Sequence, residues 1–144
     1  MRYLLLILSF TLISASAFSQ EKDSIYTIVE EMPRFPGCED IEGTAAEKKK
    51  CAEKKMLQYV YKNIRYPIIS QDNIHLLDKK VIVSFIVEKD GCLSNVEVIR
   101  RATDTVNEMY IKLISDMPCW ISGKHFGENV AVKFMLPVRV CFRS

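Results

Sequence analysis

The sequence predicts a small α+β domain in which two helices pack on a three-stranded antiparallel sheet. Three observations carry this expectation. A lysine-rich amphipathic run opens on a capping pattern at Thr44 and stops before Pro67. Two alternating apolar runs, Lys80 to Glu88 and Ser94 to Arg100, are joined by Asp90-Gly91. A long alternating run, Val130 to Phe142, follows a glycine-containing loop.

Residues 1–19 read as a secretory signal peptide and not as part of the fold. Arg2 gives a short positive start, Tyr3 to Ile13 is almost continuously apolar, and Ala17-Phe18-Ser19 offers small residues for cleavage. The apolar run falls short of the ~20 residues that span a bilayer. The alternative is an uncleaved N-terminus that retains the chain at the inner membrane. Cleavage leaves 19 basic and 18 acidic side chains, so the exported chain is nearly neutral.

The elements follow in order. Ser24 to Val29 is rich in β-branched and aromatic residues and predicts a short strand. Pro33, Pro36 and Gly37 then make a loop. Thr44-Ala45-Ala46-Glu47 is a capping box, in which the Thr hydroxyl and the Glu carboxylate each satisfy a backbone amide of the first turn. The helix it opens is expected to reach Ile64, with Met56, Leu57, Val60, Tyr61 and Ile64 as its buried stripe and the lysines in solvent. Pro67 stops it, because the residue before a proline is pushed out of the α region.

Lys80 to Glu88 is the strongest strand signal, and Asp90-Gly91 turns it back into Ser94 to Arg100 as a hairpin. Thr105 to Met117 predicts a second helix, with Val106, Met109, Tyr110, Leu113, Ile114 and Met117 on one side and Pro118 behind it. Trp120 is expected to cap the core, and Gly123 and Gly127 to allow the turn into the last strand. There Val130, Val132, Phe134, Leu136, Val138, Val140 and Phe142 share one face, and Lys133, Arg139 and Arg143 the other.

Composition narrows the function. The chain has 144 residues, enough for one domain, and its 20 Lys+Arg against 18 Asp+Glu leave no excess to grip a polyanion, so no nucleic-acid partner is expected. His75 and His125 are its only histidines, and C-x-x-C, H-x-x-x-H and G-x-S-x-G are all missing from the sequence. A Cys119–His125 thiol pair is the one nucleophile arrangement that the spacing allows. No catalytic residue, metal site, cofactor or small-molecule substrate is expected.

The five cysteines suit an exported chain in an oxidising compartment. A Cys38–Cys51 bridge would pin the proline-rich loop to the first helix, and closing a loop of that size is worth roughly 3 kcal/mol. Cys92 and Cys119 come near one edge if the second helix runs back along the sheet, which opens a second bridge. Cys141 is then left free or intermolecular.

Five segments in fixed order carry a resemblance: E-E-M-P-R-F-P-G (Glu30 to Gly37), N-I-R-Y-P (Asn63 to Pro67), V-I-V-S-F-I-V-E-K-D-G (Val81 to Gly91), M-P-C-W-I-S-G-K (Met117 to Lys124) and V-A-V-K-F-M-L-P-V (Val130 to Val138). Together they resemble the TonB C-terminal domain family, in the form found among secreted and envelope proteins of Bacteroidetes-type bacteria. The resemblance implies a periplasmic module that binds extended, TonB-box-like segments of outer-membrane transporters by β-strand addition, linked to transmembrane transport. Carried over by position, the accepting edge is Val130, Ala131, Val132, Lys133, Phe134, Met135 and Leu136, since Pro137 has no N–H to donate.

The expected organisation is signal peptide 1–19, N-terminal strand and loop 20–43, and TonB C-terminal-like domain 44–144. Residues 20–29 leave no length for the proline-rich linker of an energy transducer, and Asn73 to Asp78 stands where family members usually carry glycines. A stand-alone binding module is therefore expected. The alternative is a secreted structural or assembly protein of the envelope, in which Ser24 to Val29 covers the sheet edge and the domain forms a homodimer or joins a larger complex.

Overall fold

The computed structural model describes residues 24–66 and 80–139. In chain order these form β1 (Ile25–Tyr26), α1 (Ala45–Asn63), β2 (Lys80–Val87), β3 (Leu93–Arg100), α2 (Asp104–Ser115), β4 (Gly123–His125) and β5 (Glu128–Arg139). The class is α+β, as the patterning predicts, but the sheet is larger. Its strand order is β1-β5-β2-β3, with β4 paired to β5 off that path. The expected three antiparallel strands are β2, β3 and β5. β4 adds a short antiparallel hairpin with β5, and β1 adds a parallel pairing.

α1 begins as its capping box dictates. Thr44 Oγ1 accepts the Glu47 N–H at 3.3 Å, and the Glu47 carboxylate accepts the Thr44 N–H at 2.7 Å. The bonds that the Thr44 N–H and hydroxyl donate to the ionised carboxylate hold the Glu47 pKa below its ordinary value. The helix ends at Asn63, with the Ile64 N–H donating to the Val60 carbonyl. Pro67 lies outside the described residues, as do the signal-peptide segment, His75 and Cys141.

The buried stripe of α1 is Ala52, Met56 and Val60, at a spacing of four. Leu57 and Tyr61, expected in the core, are 44% and 72% exposed. At ~100° per residue both lie around the helix from that stripe. The helix turns its small Ala52 inward because its N-terminal half is bolted to the proline-rich loop. Cys38 is bonded to Cys51 with Cα atoms 6.0 Å apart, Lys48 Nζ donates to the Glu39 carbonyl at 3.0 Å, and Lys55 Nζ donates to the Gly37 carbonyl.

β2 supplies the centre of the core through Val81, Val83, Phe85 and Val87, all fully buried. They meet Met56 and Val60 of α1, Val106, Tyr110, Leu113 and Ile114 of α2, and Leu136 and Val138 of β5. α2 starts one residue earlier than expected, at Asp104, because Thr103 caps it and accepts the Val106 N–H. Tyr59 joins the two helices, its hydroxyl donating to the Asp116 carbonyl at 2.9 Å. Burial and the nearby Asp116 raise the Tyr59 pKa.

Trp120, 4% exposed, closes the core. Its ring stands edge-on to Phe35, Phe85 and Phe134 at centroid distances of 5.9, 5.4 and 5.2 Å. Such edge-to-face pairs place the positive ring edge on a neighbour's negative face and favour one arrangement of the core. A second disulfide, Cys92–Cys119, joins the β2–β3 turn to the segment after α2.

Candidate functional site

β5 is a strand because its sequence alternates, and it is long because both its halves find partners. Val132 to Arg139 runs antiparallel to β2 in continuous register, from Val87↔Val132 to Lys80↔Arg139. Glu128, Asn129 and Val130 pair with β4. The turn between β4 and β5 uses Phe126 at φ +50° and Gly127 at φ +78°. Both central residues have positive φ, the geometry that matches the twist of a two-residue hairpin.

The edge of β5 away from β2 is where the expected binding residues lie. Ala131 and Val132 are buried and take β1 there, in the parallel registers Ile25↔Ala131 and Tyr26↔Val132. From Lys133 onward no further strand joins that edge among the described residues. Lys133 and Phe134 are half-buried, Met135 is exposed and Leu136 is buried. The seven expected residues thus share one strand but differ in surroundings. Val130 belongs to the β4 hairpin, Ala131 and Val132 lie beside β1, and Lys133 to Leu136 present the open stretch.

Two side chains fix this arrangement. The Glu30 carboxylate accepts the Phe126 N–H at 2.9 Å and so fastens the β4–β5 turn to the N-terminal segment. His125 lies between rings, its centroid 5.2 Å from Tyr26 and 4.2 Å from Phe126. The segment after β1 is sewn to β4 and to the residues just before it as well. Glu31 exchanges two backbone bonds with Lys124, and Arg34 exchanges two with Ile121, at 2.8 to 3.0 Å. No local sequence signal joins positions so far apart.

On the helical side of the sheet these ties leave a cavity of about 620 Å3. Met32, Pro33 and Phe35 of the loop form one wall, Ala46, Ala52 and Met56 of α1 another, and Trp120 and Phe134 also line it. Phe134 therefore belongs both to β5 and to this cavity. Glu31, Arg34, Lys49 and Glu53 also line it.

Cys38 is bonded to Cys51 and Cys92 to Cys119. Cys119 consequently offers no thiol to His125. Among the described residues no group of three or more His, Cys, Asp or Glu side chains could hold a metal ion, and no helix is long and apolar enough to cross a membrane.

No family model matches the chain, and no curated protein matches it. Two solved structures are similar, both solution structures of the Helicobacter pylori TonB C-terminal domain. The first, of its residues 194–285, is 21% identical over 63% of this chain and 96% of that one, with a TM-score of 0.41. The second, of residues 179–285, is 21% identical over 63% of this chain and 82% of that one, with a TM-score of 0.39.

Proposed function

We propose that the chain is a periplasmic binding module that captures an extended segment of a partner protein by adding it as a strand to β5. The observation that carries this reading is the asymmetry of that strand. One edge is paired with β2 from Val132 to Arg139, whereas the other carries β1 at Ala131 and Val132 and no strand from Lys133 onward among the described residues. An unpaired edge offers a row of amides and carbonyls to an incoming strand, and side chains beside it supply selectivity. Met135, 56% exposed, is the apolar side chain on this stretch best placed for such contact. Two disulfides fit the oxidising compartment in which such a module would work. The motif resemblance supplies the partner class: TonB-box-like segments of outer-membrane transporters.

Peptides from the plug segments of transporters encoded in the same genome test the proposal. Titration into the isotope-labelled protein is expected to shift amides from Lys133 to Leu136 first. Binding that leaves this stretch unmoved, or no binding by any such peptide, would overturn it.

A second reading is favoured by β1 itself. Its parallel pairing covers part of the edge, as an envelope structural or assembly protein, as a homodimer or in a larger complex, would require. Strong exchange protection of the Ile25 and Tyr26 amides, together with indifference to every peptide, would favour it.

A further inference from the structure

We propose that the outward ridge of α1 is a docking surface for an anionic lipid bilayer. Leu57 and Tyr61 are the two large apolar side chains of α1 that the fold leaves exposed. They do not stand alone. Lys50, Lys54, Leu57 and Tyr61 step along α1 at intervals of four, three and four residues, and at ~100° per residue such steps trace one line along a helix. All four are exposed. The line is therefore two cations followed by an aliphatic and an aromatic side chain, on a face that no other described element covers.

The lysines of α1 divide by task. Lys48 and Lys55 donate to carbonyls of the proline-rich loop, and Lys49 lines the cavity. The ammonium groups of Lys50, Lys54 and Lys62 have no hydrogen-bond or ion-pair partner among the described residues. Nor are their charges cancelled along the helix. Six lysines stand against Glu47 and Glu53 between Ala45 and Asn63, while the whole chain carries only +2. Glu47 is held by Thr44, and Glu53 borders the cavity. The positive excess of the chain is thus concentrated on this helix.

Shape selects the occupant. A helix ridge is convex, and the cavity beside α1 opens on a different set of residues, Ala46, Ala52 and Met56 among them. A convex basic line with apolar side chains among its cations suits a flat anionic surface. Lysine stems extend their ammonium groups to the phosphates, while leucine and tyrosine enter the headgroup layer, where an aromatic ring with a polar tip is at home. Attachment of this kind is peripheral, in keeping with the lack of a membrane-crossing helix among the described residues.

The test uses the chain as recovered after export, with its N-terminus read by mass spectrometry. It is sedimented with vesicles of equal parts phosphatidylglycerol and phosphatidylcholine, and with vesicles of phosphatidylcholine alone. The expected result is salt-sensitive binding to the anionic vesicles only. Lys50→Gln with Lys54→Gln should lower partitioning by about 30-fold, the factor that two lysines give near an anionic surface. Tyr61→Ser should weaken binding further at high salt, where charge is screened. Equal binding to neutral vesicles, or a double variant that binds like the parent, would overturn the proposal. So would binding of polyglutamate along this ridge without binding of vesicles, which would identify an acidic chain as the partner. The substituted positions are exposed, so thermal unfolding should confirm that every variant remains folded.

Discussion

Gly91 lies so close to Trp120 that a Cβ built on it would stand 1.8 Å from the Trp120 carbonyl oxygen. The contact is two-sided, because the Trp120 N–H donates to the Gly91 carbonyl at 2.7 Å. Gly91 also holds φ +88°, a region that side-chain-bearing residues rarely adopt. The neighbouring Cys92 and Cys119 are bonded with their Cα atoms 4.1 Å apart. Turn, hydrogen bond and disulfide together hold Trp120 in the core. Gly91→Ala should therefore cost about 3 kcal/mol or more, combining backbone strain with a clash against main chain that cannot rotate away. Denaturant unfolding measures it. A variant within ~0.5 kcal/mol of the parent would mean that the turn and the Trp120 backbone do not meet as described.

The two disulfides should differ in what their loss does. Replacing Cys38 and Cys51 by Ser removes a cross-link of sequence separation 13, worth roughly 3 kcal/mol by chain entropy. The Cys92–Cys119 loop, of separation 27, is about twice as long and should be worth ~0.6 kcal/mol more. The structural consequences separate more sharply. Loss of Cys38–Cys51 frees the proline-rich loop, a wall of the cavity, and should raise amide exchange from Met32 to Gly37 while leaving β2 protected. Loss of Cys92–Cys119 should loosen the β2–β3 turn and the Trp120 packing, with a visible change in Trp fluorescence. Peptide mapping without reductant checks both pairings.

Most of the framework was legible because its signals are long or chemically specific. The capping box at Thr44, the hairpin at Asp90-Gly91 and the alternation of β5 each repeat one physical rule over several residues. The misreading of α1 has a clear cause. Met56 and Val60 belong to both stripes that the sequence allows, one completed by Ala52 and the other by Leu57 and Tyr61. Periodicity cannot choose between them. The choice is made by the bonds from Cys51, Lys48 and Lys55 to a loop before the helix. β4, three residues long, has too little length to show a period, and the parallel sense of β1 depends on a partner far along the chain. The Glu30 to Phe126 bond is equally nonlocal, so of the candidate site the strand and the Ser24 to Val29 segment beside it are readable in the sequence, but not the bonds that tie them together.

The start of α1 should respond to acid in a defined direction. The Glu47 carboxyl is lowered by hydrogen bonds from Thr44. The Glu39 carboxyl is lowered too, despite the opposing effect of desolvation, by amides including those of Gly37 and Cys38 and by the Lys55 charge. A carboxyl with a depressed folded-state pKa contributes stability above its unfolded value, near 4.3 for Glu, and loses that contribution as pH falls through the folded value. The first turn and the loop should therefore hold at neutral pH and loosen well into the acid range. Glu47→Gln retains a side chain that can accept the Thr44 N–H but does not titrate as a carboxyl, so it should flatten the acid response of that turn. Thr44→Ala should cost ~1 kcal/mol at neutral pH and less in acid, because it also removes the hydroxyl that donates to the Glu47 carboxylate, while the Thr44 N–H bond remains. A pH series of Ala45–Lys48 amide shifts distinguishes the two variants.

The shortest pairing in the sheet lies beside its proposed working edge. β1 holds β5 through two registered residues, helped by the Tyr26 ring against His125. Ile25 remains 53% exposed even when paired, so its displacement uncovers little new apolar surface. A partner strand running past Lys133 toward Val132 would meet β1 and would have to displace it to lengthen its own ladder. The measured affinity is then reduced by whatever free energy holds β1 in place, about 1 kcal/mol for pairings of this size. A chain lacking Ser24 to Tyr26, and separately Tyr26→Ser, should bind an added peptide about fivefold more tightly, with new shifts at Ala131 and Val132. If β1 instead seals an edge that no partner uses, the same deletion should leave peptide binding undetectable. The uncovered strand would then pair with a second copy, and sedimentation would show a concentration-dependent dimer.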